Sequence, residues 1–175
     1  MLKKTISIII SPKLFKAINS NDLERVKYLV EKGANIESKD NFGCTPLHRA
    51  SWGGNLDIVK YLVEKGANIE SKDNDGCTPL NSLVSWRGKL DIVKYVVEKG
   101  ANIESKDDGG NTPLHEVSWH GKLDIVKYLV EKGANIESKN NGGQTPLAVA
   151  YKKNHFDIVN YMEKKINNNN NNNNK

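Results

Sequence analysis

Cysteine is nearly absent: only Cys44 and Cys77 occur in 175 residues. Two thiols cannot build a disulfide framework, and a reducing compartment, cytoplasmic or nucleocytoplasmic, is expected. Long hydrophobic runs are missing too. The apolar stretch near the start, Ile6 to Ile10, is interrupted by Ser7 and falls short of the roughly 7–15 apolar residues of a signal-peptide core. Nothing approaches the roughly 20 apolar residues of a membrane span, so no membrane association is expected. Charge of one sign is not concentrated either. The 26 Lys and Arg and the 21 Asp and Glu mostly alternate, whereas nucleic-acid binding needs a basic stripe, so no nucleic-acid partner is expected. No nucleophile–base pair, phosphate-cradling loop or cluster of metal ligands can be found. The expectation is therefore no catalysis, no cofactor and no metal.

What the chain has in abundance is itself. Glu-Lys-Gly-Ala-Asn-Ile-Glu-Ser-Lys begins at Glu31, Glu64, Glu98 and Glu131, and Thr-Pro-Leu begins at Thr45, Thr78, Thr112 and Thr145, both spaced 33, 34 and 33 residues. Leu-Asp-Ile-Val-Lys-Tyr lies between them at Leu56, Leu90 and Leu123, with Phe156-Asp-Ile-Val-Asn-Tyr161 in the last copy. Such periods mark stacked repeats.

Each copy reads as two short helices and a turn. Thr45-Pro46 offers a capping hydroxyl and then a proline at the first helical position, where its missing N–H costs nothing. Gly54, Gly88 and Gly121 stop this inner helix, with Asn21 and Asn154 at the same place in the end copies; both residue types tolerate a left-handed C-cap. An outer helix follows from Leu56 to Gly66. Asp40-Asn-Phe-Gly43 and Asp73-Asn-Asp-Gly76 then read as type I turns. Neither helix reaches the roughly 12–15 residues that an isolated helix needs, so each copy must be held by its neighbours. Arg25 replaces the buried Ile of the outer helix in the first copy, and Glu163 replaces the Val in the last. These are the polar outer faces that terminal repeats require, and a monomer is expected.

The unit resembles the ankyrin repeat: a 33-residue period and the Thr-Pro-Leu-His-x-Ala signature, complete at His48-Arg49-Ala50 and nearly so at His115-Glu116-Val117. The resemblance implies an all-α solenoid of stacked helix-turn-helix units with short hairpin-like turns. It places an N-terminal extension at 1–10 and five repeats at 11–37, 38–70, 71–104, 105–137 and 138–166, the first beginning directly with its inner helix at Pro12. A poly-Asn tail at 167–175 is expected to be disordered. The resemblance further implies a protein partner held in a concave groove of turn tips and inner helices, in a chain that is not an enzyme. A structural scaffold with weak, broad contacts and an inhibitor or adaptor subunit remain alternatives. It implies that His48 and His115 bond neighbouring turns. It also makes asparagine hydroxylation unexpected, because Glu37, Glu70, Glu104 and Glu137 stand at the modified position.

Trp52, Trp86 and Trp119 occupy equivalent positions near the end of the inner helix, which the family geometry puts in the groove. They are candidates for partner binding, since tryptophan is enriched in hot spots, against the alternative that they pack between repeats. Beside them the sequence varies as Gly53, Arg87, His120 and Lys153. The tips vary too, making Phe42 and Asp75 further candidates. The third copy carries an extra residue between Leu80 and Ser85, readable as a π-bulge or as tolerated drift, and Asn81 stands where the signature has His. Cys44 and Cys77 lie in stacked layers about 8–10 Å apart, beyond the ~7 Å Cα reach of a disulfide, so free thiols are expected.

Overall fold

The computed structural model describes residues 2–84 and 88–173, with side chains for 10–84 and 88–168. Trp86 and Arg87 lie outside the described residues; the stretch 81–84, where the third copy carries its extra residue, is α-helical. Among the described residues there are ten helices and no strand. They fall into two compact units, residues 1–101 and 102–175.

In the first unit α1 (Leu2–Asn19), α3 (Pro46–Gly53) and α5 (Pro79–Val84) form an inner row, and α2 (Leu23–Glu31), α4 (Leu56–Glu64) and α6 (Leu90–Glu98) an outer one. Each helix packs on its partner in the same repeat and on its counterparts in adjacent repeats. The second unit repeats the plan with α7 (Pro113–His120) and α9 (Pro146–Lys152) inside, and α8 (Leu123–Glu131) and α10 (Phe156–Asn173) outside.

Local chemistry sets the helix ends. Thr45 and Thr112 have extended backbones and form capping boxes with His48 and His115, each followed by proline at the first turn. Gly54 and Gly121 close those helices with φ of 70° and 71°. Asn21 and Asn154 take the same left-handed conformation, φ 59° and 60°, in the end copies. At Gly121 a Cβ would sit 2.5 Å from the His155 ring, which would have to move aside. The tips are Asp-led turns: the Asp40 carboxylate accepts from the N–H groups of Phe42 and Cys44, and the Gly43 N–H donates to the Asp40 carbonyl.

The outer helices bury Ile58, Val59 and Leu62 and their equivalents Ile92, Val93 and Val96, or Ile125, Val126 and Leu129. Stacking also uses polar groups that the sequence did not advertise. Glu37 accepts from the Asn68 N–H and the Ser71 hydroxyl, and Glu104 accepts from the Asn135 N–H and the Ser138 hydroxyl. The glutamate that displaces the modifiable asparagine is thus a bridge to the next repeat. The Tyr61 hydroxyl reaches back to the Lys27 carbonyl at 3.5 Å. Its equivalent in the first repeat, Tyr28, is 49% exposed and lies under the Arg25 guanidinium, 5.1 Å from the ring centroid. Arg25 and Glu163 are both exposed.

Two boundaries differ from the sequence reading. α1 starts at Leu2, not at Pro12, so residues 2–10 extend the inner helix and Pro12 sits inside it. An interior proline forfeits the hydrogen bond to the carbonyl four residues earlier. Here its ring is exposed, while Leu14, Ala17 and Ile18 dock the helix. α10 runs past Ile166 to Asn173, through most of the tract assigned to disorder. Asparagine is a modest helix former, but a helix already nucleated and anchored by Ile158 and Met162 extends at one hydrogen bond per added residue.

Candidate functional site

In the first unit the candidates Phe42 and Trp52 are joined by a residue that the sequence reading passed over. Arg49, in α3, points back to the tip and holds the Asp40 carboxylate with Nη2 at 2.5 Å and Nε at 2.7 Å. Burial pushes Asp40 up, but the Arg49 bond and the two tip N–H groups outweigh it and leave the carboxyl below its ordinary value. The guanidinium so fixed lies 5.4 Å from the Phe42 ring centroid and 6.0 Å from that of Trp52. Both rings stand out of the protein, Phe42 at 68% and Trp52 at 49% exposure. Arg49 lines a groove of about 560 Å³ with Pro12, Phe15, Lys39 and Phe42, and a second of about 390 Å³ with Ile18 and Trp52. Asp75 is exposed at the next tip, where its N–H donates to the Asp73 carboxylate.

In the second unit Trp119 is 46% exposed and the Lys153 ammonium lies 3.2 Å from its ring centroid. The His155 ring bonds the Trp119 carbonyl at 3.1 Å. His120 is half-buried beside them; burial, then Lys122, His155 and Lys153, hold its imidazole below the ordinary value. Trp119, His120, Glu116, His115, Asn111 and Asn140 contribute to a pocket of about 310 Å³. The structure therefore brings Trp119, His120 and Lys153 together, as it does Phe42 and Trp52. A further exposed aromatic pair, Tyr151 and Phe156, meets edge to face at 6.1 Å.

One signal could have found Arg49 and Glu116. The residue four after the capping Thr varies as Arg49, Ser82, Glu116 and Val149 in copies that are otherwise nearly verbatim. Variation singled out His120 and Lys153 and would have served equally well one turn earlier.

His48 and His115 are structural. Nδ1 of each accepts from the capping threonine N–H, which leaves the proton on Nε2 to donate to the Cys77 carbonyl at 3.0 Å or the Gln144 carbonyl at 2.9 Å. In the third repeat the Asn81 carboxamide oxygen reproduces the cap by accepting from the Thr78 N–H and hydroxyl. Burial holds both imidazoles below their ordinary 6.5, against the pull of the carbonyl bonds. Below that pH the unfolded chain takes up protons that the folded chain refuses, so stability is complete above it and declines as pH falls. Urea unfolding at several pH values between about 7 and 5.5 should show this decline in the unaltered protein and a flatter profile in His48→Asn/His115→Asn. Equal slopes would contradict the neutral imidazole pair.

Cys44 and Cys77 are free thiols. Burial, with smaller contributions from Asp40 and Asp73, pushes Cys44 up to about 11, and its Sγ lies 3.8 Å from the Asp73 carboxylate. Such a thiol is inert at neutral pH. Among the described residues no group of three or more His, Cys, Asp or Glu is placed to hold a metal, and no helix is long and apolar enough to cross a membrane.

No curated protein matches the sequence. The family model described as ankyrin repeats (3 copies) matches residues 14–107 and 104–174. With the capped helix pairs, the Asp-led tips and the histidine bridges between repeats, that match covers nearly the whole sequence, and the chain belongs to the ankyrin-repeat family.

Proposed function

We propose that the chain binds a partner protein through the exposed ends of its inner helices and the adjoining turn tips. Ankyrin repeats are generally protein–protein interaction modules and typically non-enzymatic. The observation that carries the reading is the half-exposure of both described tryptophans, 49% for Trp52 and 46% for Trp119, each beside a cation. Rigid aromatic area next to a fixed guanidinium or ammonium is what binding hot spots are made of, because it offers contact at little cost in side-chain entropy. A tryptophan that served only to pack between repeats would be covered. Free thiols suit a reducing compartment, cytoplasmic or nucleocytoplasmic.

Proximity labelling in the native cell tests the proposal. The unaltered chain is compared with Trp52→Ala/Trp119→Ala and with Lys60→Ala/Lys127→Ala, which alters the outer helices. Proteins lost from the tryptophan variant and retained by the lysine variant support the reading. Equal losses, or none, would sink it.

A further inference from the structure

The four residues that join inner helix to outer helix change character along the chain. They read Asn19-Ser20-Asn21-Asp22 and Trp52-Gly53-Gly54-Asn55 in the first two copies, but Trp119-His120-Gly121-Lys122 and Lys152-Lys153-Asn154-His155 in the last two. The first two copies close the same connection without a cation, so the fold does not require these charges. Local chemistry opposes one of them. Asp22 and Asn55 cap their outer helices by accepting from the Arg25 and Ile58 N–H groups. Lys122, at the same position, makes no side-chain cap bond, and its positive charge sits at the positive end of the helix dipole. Residues that break a local rule in an otherwise consistent sequence are expected where function is served.

Stacking draws the two basic segments into one surface. The His155 ring bonds the Trp119 carbonyl at 3.1 Å and lies against Gly121, and the Lys153 ammonium lies 3.2 Å from the Trp119 ring centroid. Burial apart, the charges that act on His120 are Lys122, His155 and Lys153, all of them basic groups. Neither Lys122 nor Lys153 forms an ion pair among the described residues, whereas Arg49 beside Trp52 is closed on Asp40. Glu116, in the wall of the adjoining pocket, is half-buried and makes no ion pair with them. Asp124 and Asp157 have a counterpart in Asp57 of the neutral copy, so they do not answer the added charge.

We infer that this basic surface around the exposed Trp119 receives an acidic segment of the partner protein, whose carboxylates meet the Lys122 and Lys153 ammonium groups beside the ring. Charge complementarity selects the occupant: the surface offers unanswered cations next to rigid aromatic area, and an acidic chain supplies the missing sign. Both lysines are half-exposed, so salt should screen the contact.

The inference rests on the inner-helix reading above, and its test is separate. Acetyl-tetraglutamate amide is titrated into the full chain, with tetraglutamine as the uncharged control, while NMR follows the Trp119 indole N–H and the Lys122 amide. Tetraglutamate should shift both signals saturably and bind more weakly as salt is raised, and tetraglutamine should bind at least tenfold more weakly. Lys122→Asn/Lys153→Gln should weaken tetraglutamate at least fivefold. Lys122→Asn alone should weaken it while raising the urea midpoint, because asparagine restores the cap that Asn55 supplies; a lysine with a merely structural role would not trade binding for stability. Equal binding of tetraglutamine, no saturable shift, or unchanged affinity in the double variant would each overturn the inference. Tighter binding of a single-stranded oligouridine of equal charge would also overturn it, by making this a nucleic-acid surface. Should a variant fail to fold, the glutamate-to-glutamine ratio on the unaltered chain still decides. A negative result beside a tryptophan-dependent partner removes the acidic segment and leaves the inner-helix reading standing.

Discussion

Leu62→Ala is expected to lower the unfolding free energy by about 3 kcal/mol, within the roughly 2–5 kcal/mol found for truncating a buried leucine. Leu62 is fully buried in α4, which packs on α3 in its own repeat and on α2 and α6 in the neighbouring ones. A nine-residue helix has no stability to fall back on, so the cavity weakens every interface that holds it. Against a typical total of about 5–15 kcal/mol, this is a large fraction. Leu29→Ala removes the same atoms from α2, which among the described helices packs chiefly on α1 and α4. It should therefore cost less. Urea unfolding of both variants checks the ordering. Equal losses, or a loss under about 1 kcal/mol at Leu62, would mean that stability does not arise from neighbour stacking.

The parts of this fold that could be read in the sequence are those set by local sterics. Thr45-Pro46 starts a helix and Gly54 stops one for reasons confined to a few residues, and Asn21 and Asn154 do what glycine does because asparagine tolerates positive φ. The helix limits at Leu2 and Asn173 lie beyond what local signals mark. A proline and a polar tract are strong signals for an isolated peptide, yet helix propagation from a docked core overrides them. The candidate site was legible residue by residue but not as a constellation. Phe42 and Trp52 stood out, while the guanidinium that connects them is bound to a carboxylate nine positions away, a pairing that exists only once the tip folds back on the helix. Lys153 stands out by its variability; that it lies over Trp119, in the preceding repeat, follows from stacking alone. The role of Glu37 and Glu104 was hidden in the same way, since their partners lie 31 and 34 residues on.

The central claim is that the exposed tryptophans bind and do not merely pack. It is tested most directly by calorimetric titration of Trp52→Ala and Trp119→Ala against the partner recovered by labelling, with urea unfolding of the same preparations. Each substitution should lose about 2 kcal/mol or more of binding free energy, roughly 30-fold in affinity, as expected of a hot-spot tryptophan. Unfolding free energy should fall by clearly less than the roughly 3–5 kcal/mol that deletion of a fully buried tryptophan costs, because about half of each ring already faces solvent. Unchanged affinity together with a full loss of stability would contradict the account, and the tryptophans would then be packing residues.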